Sequence, residues 1–340
     1  MKILFIGGTG VISAACTRLA SERGFDVTLL NRGQRNAAIP AGVRTIAADI
    51  RDQSARAKAL AEESFDAVVD FIAYASSDIE RDLELFRRRT GQYVFISSAS
   101  AYQKPVPRYP ITESTPLGNP YWQYARDKIA CEERLMTAYR EEAFPVTIVR
   151  PSLTFDETGI PLVINSSQQP YTIVDRMLRG QKVIVPGDGS SLWAITHSSD
   201  FAKGLVGLLG NAEAIGQAFH ITTDEVMTWD GLYQTVAAAA GVEANLVHIP
   251  SDFIIACLPD QRGRLLGDKA VSVIFDNSKI RQFVPDYRAT TTFAQGIRQS
   301  LAWFAADPAR REIDRQSNAT WDKLIGAYER GLSDAVRIFR

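Results

Sequence analysis

Residues 3–13 read ILFIGGTGVIS, an apolar strand (Ile3, Leu4, Phe5, Ile6) that runs straight into a glycine-rich turn. Gly7 allows a tight exit from the strand, and Gly10 lets the backbone of the following helix approach a pyrophosphate. The N–H groups that open that helix, at Val11 and Ile12, are the donors such a phosphate needs. Ser13 takes the place of the third glycine of the usual fingerprint, and is small enough to keep helix and strand close. Apolar residues Val11, Ala14, Ala15, Leu19 and Ala20 then repeat at helical spacing up to Gly24, and 27–30 read as a buried strand. The turn therefore belongs to a strand, helix, strand unit of the length a dinucleotide site requires.

The end of that second strand bears on which dinucleotide. An acidic residue there binds the ribose 2′-hydroxyl in NAD sites, whereas this chain has Asn31, then Arg32 and, three residues on, Arg35. A carboxylate repels a 2′-phosphate, while Asn beside a guanidinium accepts one through charge-assisted hydrogen bonds. The expectation is NADP or NAD, with NADP favoured.

The chain has 340 residues, 46% hydrophobic and 23% charged, which suits a globular protein with ample core. A formal net charge of −1 gives no global attraction to nucleic acid or anionic membrane. Cys16, Cys131 and Cys257 are odd in number and lack ligand spacing, so neither a disulfide framework nor a zinc site is expected. A first strand that starts at Lys2 leaves no room for a signal peptide, and no apolar run approaches the ~20 residues of a membrane span. A cytoplasmic enzyme is expected.

Alternation continues after the first unit: strands at 43–47, 67–71, 93–96 and 146–149, with helices at 54–63, 78–89 and 121–142 between them. Short apolar strands without in–out alternation, separated by helices, define a doubly wound (Rossmann) parallel sheet covered on both faces. Residues 1–150 are expected to form this dinucleotide-binding domain. From Pro151 the signals shorten and prolines, glycines and polar residues become frequent. Residues 151–340 are read as a smaller substrate lobe with C-terminal helices. Parts of 195–221, including a helix capped by Ser199 or Asp200 and running to Leu209, pack back on the sheet. The last thirty residues carry Trp321, Leu324, Ile325, Tyr328 and Leu332 on one helical stripe.

In such a sheet, ligands bind beyond the carboxyl ends of the strands. There the chain places SSASAY (97–102), followed by YARDK (124–128) on the long helix. Tyr124 and Lys128 lie four apart, on one helix face. A phenol is a poor base at neutral pH. A cation ~4 Å away at an effective dielectric of ~20 contributes ~4 kcal/mol, enough to lower a phenol pKa by up to ~3 units. Tyr124 is then a general acid or base, with Lys128 its electrostatic partner and a serine of 97–102 polarising the substrate oxygen.

These segments, together with ADIRD (48–52), RPS (150–152) and PGDGSSLWAITHSSD (186–200), resemble the extended short-chain dehydrogenase/reductases, the branch of NAD-dependent sugar epimerases and dehydratases. The likeness spans about 200 residues in the family's order. It implies Ser98 as catalytic serine, Tyr124 as acid/base, and Lys128 as a ligand of the nicotinamide ribose. It further implies Asp49 and Ile50 at adenine, Ile72 and Ala73 lining the cofactor, and Pro151 and Ser152 near the carboxamide. A homodimer through the helices near 78–89 and 121–140 also follows from it.

The chain departs from the family in two places. Family dehydratases carry Asp–Glu directly after the catalytic-strand Ser/Thr; here Ala99 and Ser100 follow Ser98, which disfavours dehydration. Nucleotide-sugar enzymes place an arginine after GDG, where this chain has Leu192, Trp193 and Ala194, so a diphosphate falls to Arg262 or Arg264. Tyr74, Ser100, Trp122 and Trp193 are candidates for substrate contact, with core packing an equal reading of the aromatic rings. His197 is read as structural, and His220 and His248 have no partners at ligand spacing, so no metal is expected. The resulting expectation is an NAD(P)-dependent oxidoreductase or epimerase acting on a hydroxyl or carbonyl of a sugar or nucleotide-sugar-like small molecule. Its rivals are an NADPH-dependent carbonyl reductase of a non-sugar substrate and, from a different class, a non-catalytic RNA-binding protein, because proteins resembling chloroplast stem-loop RNA-binding proteins share the NRG and YARDK-like segments. Net charge and the complete Ser98, Tyr124, Lys128 set argue against nucleic acid.

Overall fold

The structure, a computed structural model, describes residues 1–32, 39–49, 52–61 and 63–340. Arg35, Ile50 and Arg51, named above, lie outside the described residues. The chain divides into two compact units: Met1–Thr154 with Thr196–Asp224 and Phe275–Thr290, and Phe155–Ile195 with Glu225–Ile274 and Thr291–Arg340. Segment Phe275–Thr290 thus joins the first unit, outside the sequence expectation for it.

The first unit is built on β1 (Lys2–Ile6), α1 (Val11–Glu22), β2 (Asp26–Asn31), β3 (Arg44–Ala47), α2 (Gln53–Ala59) and β4 (Phe65–Asp70). It continues with α3 (Ser76–Phe86), β5 (Thr90–Ile96), α4 (Gln123–Glu142), β6 (Val146–Pro151), α5 (Ser198–Leu208) and β7 (Ala218–Ile221). Among the described residues the strands form one seven-stranded sheet, ordered β7-β6-β5-β4-β1-β2-β3, with every pairing parallel. The chain order reverses between β1 and β4, so the crevice at their carboxyl ends is the switch point where such sheets bind ligands.

Why the strands read as unbroken apolar runs is seen in β1. Ile3 and Phe5 enter a core shared with α1 and α5, whereas Leu4 and Ile6 enter the core on the opposite face, shared with α3 and α4. Both faces are covered, so both registers must be apolar. Ala218–Ile221, isolated in the sequence as a short patch, is the edge strand of the sheet, pairing Ala218 with Ile148 and Ile221 with Pro151. The cap of α5 is His197, two residues ahead of the expected Ser199 and three ahead of Asp200: its ring accepts from the Ser199 N–H, and Asp200 is buried against Lys203 instead.

In the second unit, strands Val183–Pro186 and Leu246–Ile249 pair in parallel. The C-terminal stripe forms the helix Arg315–Ile338, where Trp321, Leu324 and Ile325 are buried, Tyr328 packs on Phe253, and Leu332 is exposed. Among the described residues, no helix is long and apolar enough to cross a membrane.

Candidate active site

Gly7 leaves β1 at φ +83°, a conformation that favours glycine, and a Cβ there would stand 2.4 Å from Ile72 Cγ2. The turn can therefore close on the end of β4 only without a side chain. Ser13 does more than stay small. Its hydroxyl donates to the Gly7 carbonyl (2.6 Å) and accepts from the Gly10 N–H (2.8 Å), tying the turn to the first turn of α1. Ser13→Ala is expected to cost about 1–2 kcal/mol in urea unfolding through those two bonds; an unchanged midpoint would contradict the role. The first-turn N–H groups of α1 have no acceptor within the helix and face a cleft of about 550 Å³. Gly10, Ile12, Asn31, Arg32, Ile72 and Tyr74 are among its lining residues. Donors at the positive end of a helix, and a glycine whose side chain would fill the approach, fit a dinucleotide pyrophosphate.

Asn31 ends β2 beside this cleft, and exposed Arg32 lines both it and an adjoining pocket of about 250 Å³ that reaches Asp49, Asp70 and Asp78. Pro151 and Ser152 follow at the carboxyl end of β6, also on the ligand side of the sheet.

Tyr124 and Lys128 occupy the first turns of α4. Lys128 is buried, and its Nζ donates to the carbonyls of Ala73 (2.6 Å) and Ile96 (2.8 Å), at the ends of β4 and β5. Burial pushes its pKa down to about 8, against the pull of Asp70, Cys131, Glu132 and Asp78. Its ammonium lies 5.9 Å from the Tyr124 ring centre and 4.6 Å from that of Tyr74. Trp122 and Tyr74 flank Tyr124, with ring centres 4.9 and 6.1 Å away. Tyr74 is 52% exposed, so this ring cluster opens outward.

Ser98 follows β5 and caps the short 3-10 turn Ala99–Ala101. Its hydroxyl is 2.8 Å from that of Ser100, which is buried and thus a partner of Ser98 within the protein. Asn119, which the sequence reading did not single out, joins the two segments: its Nδ2 donates to the Ser100 carbonyl (2.9 Å), and its Oδ1 accepts from the N–H groups of Tyr121 and Trp122 (both 3.2 Å). An Asn-Pro just before a helix was the available signal. Glu132, one turn beyond Lys128, was also missed. It is buried, accepts from Ser97 Oγ (2.5 Å), and binds Arg150 through Nε and Nη2 (3.0 and 2.6 Å). Arg150 in turn lies over the Tyr102 ring at 4.9 Å.

Of the two readings of Trp193, substrate contact and core packing, the structure shows the second. Trp193 is buried in the second unit, tilted against Trp229 with ring centres 5.0 Å apart, its indole N–H donated to the Val271 carbonyl and its face covered by Lys269 at 4.0 Å. It is core packing, because every face and its one donor are used within that unit. Arg262 is exposed, and Arg264 lines a cleft of about 370 Å³ in the same unit with Asn165, Gln261 and Trp321; burial lowers its pKa. Burial also lowers that of His220. With the ring neutral, Nε2–H donates to the Asp276 carbonyl (2.7 Å) and Nδ1 accepts from the Tyr102 hydroxyl (3.0 Å). His248 pairs with Asp230 at 2.8 Å. Among the described residues no three His, Cys, Asp or Glu side chains are grouped to hold a metal ion.

The parallel sheet, the glycine turn at its switch point and the Tyr–Lys helix beside it define the extended short-chain dehydrogenase/reductase class. Residues 3–222 match the NAD dependent epimerase/dehydratase family, and the chain belongs to it. It is 25% identical over 288 residues to 2′-dehydrokanamycin reductase of Streptomyces kanamyceticus, covering 85% of this chain and 80% of the relative. It is 27% identical over 267 residues to the chloroplast stem-loop binding protein of 41 kDa b of Arabidopsis thaliana, covering 74% and 67%. Among solved structures, UDP-glucose 4-epimerase from Bifidobacterium longum, in complex with NAD+ and UDP, superposes with a TM-score of 0.70 at 21% identity over 91% of this chain and 99% of that one.

Proposed function

We propose that the protein is an NAD(P)-dependent oxidoreductase or epimerase acting on a hydroxyl or carbonyl of a sugar-like substrate. The observation that carries this reading is the setting of Lys128: buried, held by two strand-end carbonyls, one turn from Tyr124 and beside the glycine-turn cleft. An ammonium has three N–H donors. Two of them fix Lys128 on the sheet, and the third is available to a ribose hydroxyl. Tyr124, one turn from that positive charge, gives or takes the proton of the substrate oxygen. Ser98, oriented by Ser100, donates a hydrogen bond to that oxygen. When bound, the dinucleotide supplies hydride acceptance and donation. A sugar-like substrate is supported by the named activities of the reductase and epimerase relatives and by the exposed Tyr74 and half-buried Trp122, whose faces suit a sugar ring.

Mass spectrometry of the purified protein tests the reading. Tightly retained NAD supports an epimerase, exchangeable NADPH oxidised by a keto-sugar at 340 nm supports a reductase, and neither binding nor turnover overturns both. Asn31 and Arg32 favour NADP. Arg32→Ala is expected to weaken NADPH about 10–100-fold while sparing NADH, since a charge-assisted hydrogen bond contributes about 1.5–3 kcal/mol; equal losses on both would remove the preference.

The stem-loop binding relative supports a second reading, a non-catalytic RNA-binding protein. It requires salt-sensitive RNA binding without turnover.

A further inference from the structure

Four buried ionisable groups behind the β4 exit take no part in the reaction above: Asp70 on β4, Asp82 on α3, Arg56 on α2 and Tyr93 on β5, each at most 2% exposed. Asp82 accepts from Arg56 Nη1 (2.6 Å) and from the Tyr93 hydroxyl (2.5 Å). Burial first, and then the charge of the neighbouring Asp70 carboxyl, hold the Asp82 pKa well above the usual carboxylate range.

Asp70 reaches both halves of the candidate site through a single turn. Its Oδ1 accepts from the N–H groups of Ile72 (2.6 Å) and Ala73 (2.8 Å). Ile72 is the side chain that closes on Gly7, and the Ala73 carbonyl is an acceptor of Lys128. The other groups facing Lys128 are Tyr124, Cys131 and Glu132 on its own helix, and Tyr74 and Asp78 from the β4–α3 segment. Glu132 is bound to Arg150 and Asp78 to Arg81, and burial keeps Cys131 a neutral thiol by pushing its pKa up to about 12. Arg56 binds the pair from the Asp82 side, leaving Asp70 the carboxyl turned to the lysine turn.

We propose that Asp70 is a positioning residue that holds the β4 exit turn against both Gly7 and Lys128 and presents its negative charge to the Lys128 ammonium. Its functional consequence rests on the role of Lys128 given above, but its test does not. Lysine side chains of the full-length protein are titrated by 13Cε NMR, with Lys128→Met identifying the Lys128 signal. Asn at 70 can still accept both N–H bonds but carries no charge. Asp70→Asn is therefore expected to lower the Lys128 pKa by about one unit, whereas Asp82→Asn, which leaves the charge on Asp70, holds or raises it. An unmoved Lys128 titration in folded Asp70→Asn overturns the proposal. Should that variant not fold, Arg56→Gln removes the cation behind the pair and is expected to raise the Lys128 pKa; no change there overturns it equally. A shift without any measurable turnover would leave the proposal standing and count against the assigned function alone.

Discussion

Tyr124→Phe is expected to lower turnover about 10²–10⁴-fold, the range that a positioned acid or base contributes, while dinucleotide affinity stays within about twofold of the parent. The separation of effects follows from the architecture. The donors proposed for the phosphates belong to Gly7–Ser13 and α1, and the Lys128 anchors are the carbonyls of Ala73 and Ile96, so neither depends on the Tyr124 hydroxyl. Phe preserves the ring contacts with Trp122 and Tyr74. Kinetics at saturating substrate, paired with titration calorimetry of the dinucleotide, check both halves; retained turnover removes Tyr124 from the chemistry.

The largest expected stability effect lies beneath that chemistry. Glu132→Ala leaves the Arg150 guanidinium buried, 6% exposed, without its bidentate carboxylate. Breaking a buried pair from one side costs about 3–5 kcal/mol, whereas replacing both partners by apolar residues of similar size is often close to neutral. Urea unfolding should therefore show Glu132→Ala strongly destabilised and the double variant Glu132→Leu with Arg150→Met substantially recovered. Equal destabilisation of single and double variants would mean that the pair is not the source. Because Ser97 is bonded to Glu132 and precedes Ser98, the recovered double variant should still turn over more slowly than the parent.

The sheet was legible because strands such as β1 and β6 are buried on both faces, and the apolar runs ILFI and VTIV advertise that directly. Ala218–Ile221 was harder to place: four residues carry no periodicity of their own, and only pairing with β6 assigns them to the sheet. Trp193 shows the opposite limit. An indole beside a glycine-rich segment reads as a wall for a ligand, but Trp229, Val271 and Lys269, distant in sequence, enclose it. Asp70 and Asp82 were passed over because a single carboxyl at a strand end or on a charged helix looks like solvated surface until tertiary packing buries both.

By itself the sequence determined the strand–helix alternation, the glycine turn and the one-turn spacing of Tyr124 and Lys128. All of these are local, set by backbone conformation and by the 3.6-residue period of a helix. Only the tertiary structure decided what surrounds them. The carbonyls that hold Lys128 come from the turn after β4 and from the end of β5, the serine that replaces a glycine ties the turn through its hydroxyl, and Asp82 meets Arg56 and Tyr93 through folding alone. Burial, and the electrostatics that burial strengthens, depend on which distant segments pack together, and a linear pattern of residue types does not contain that information.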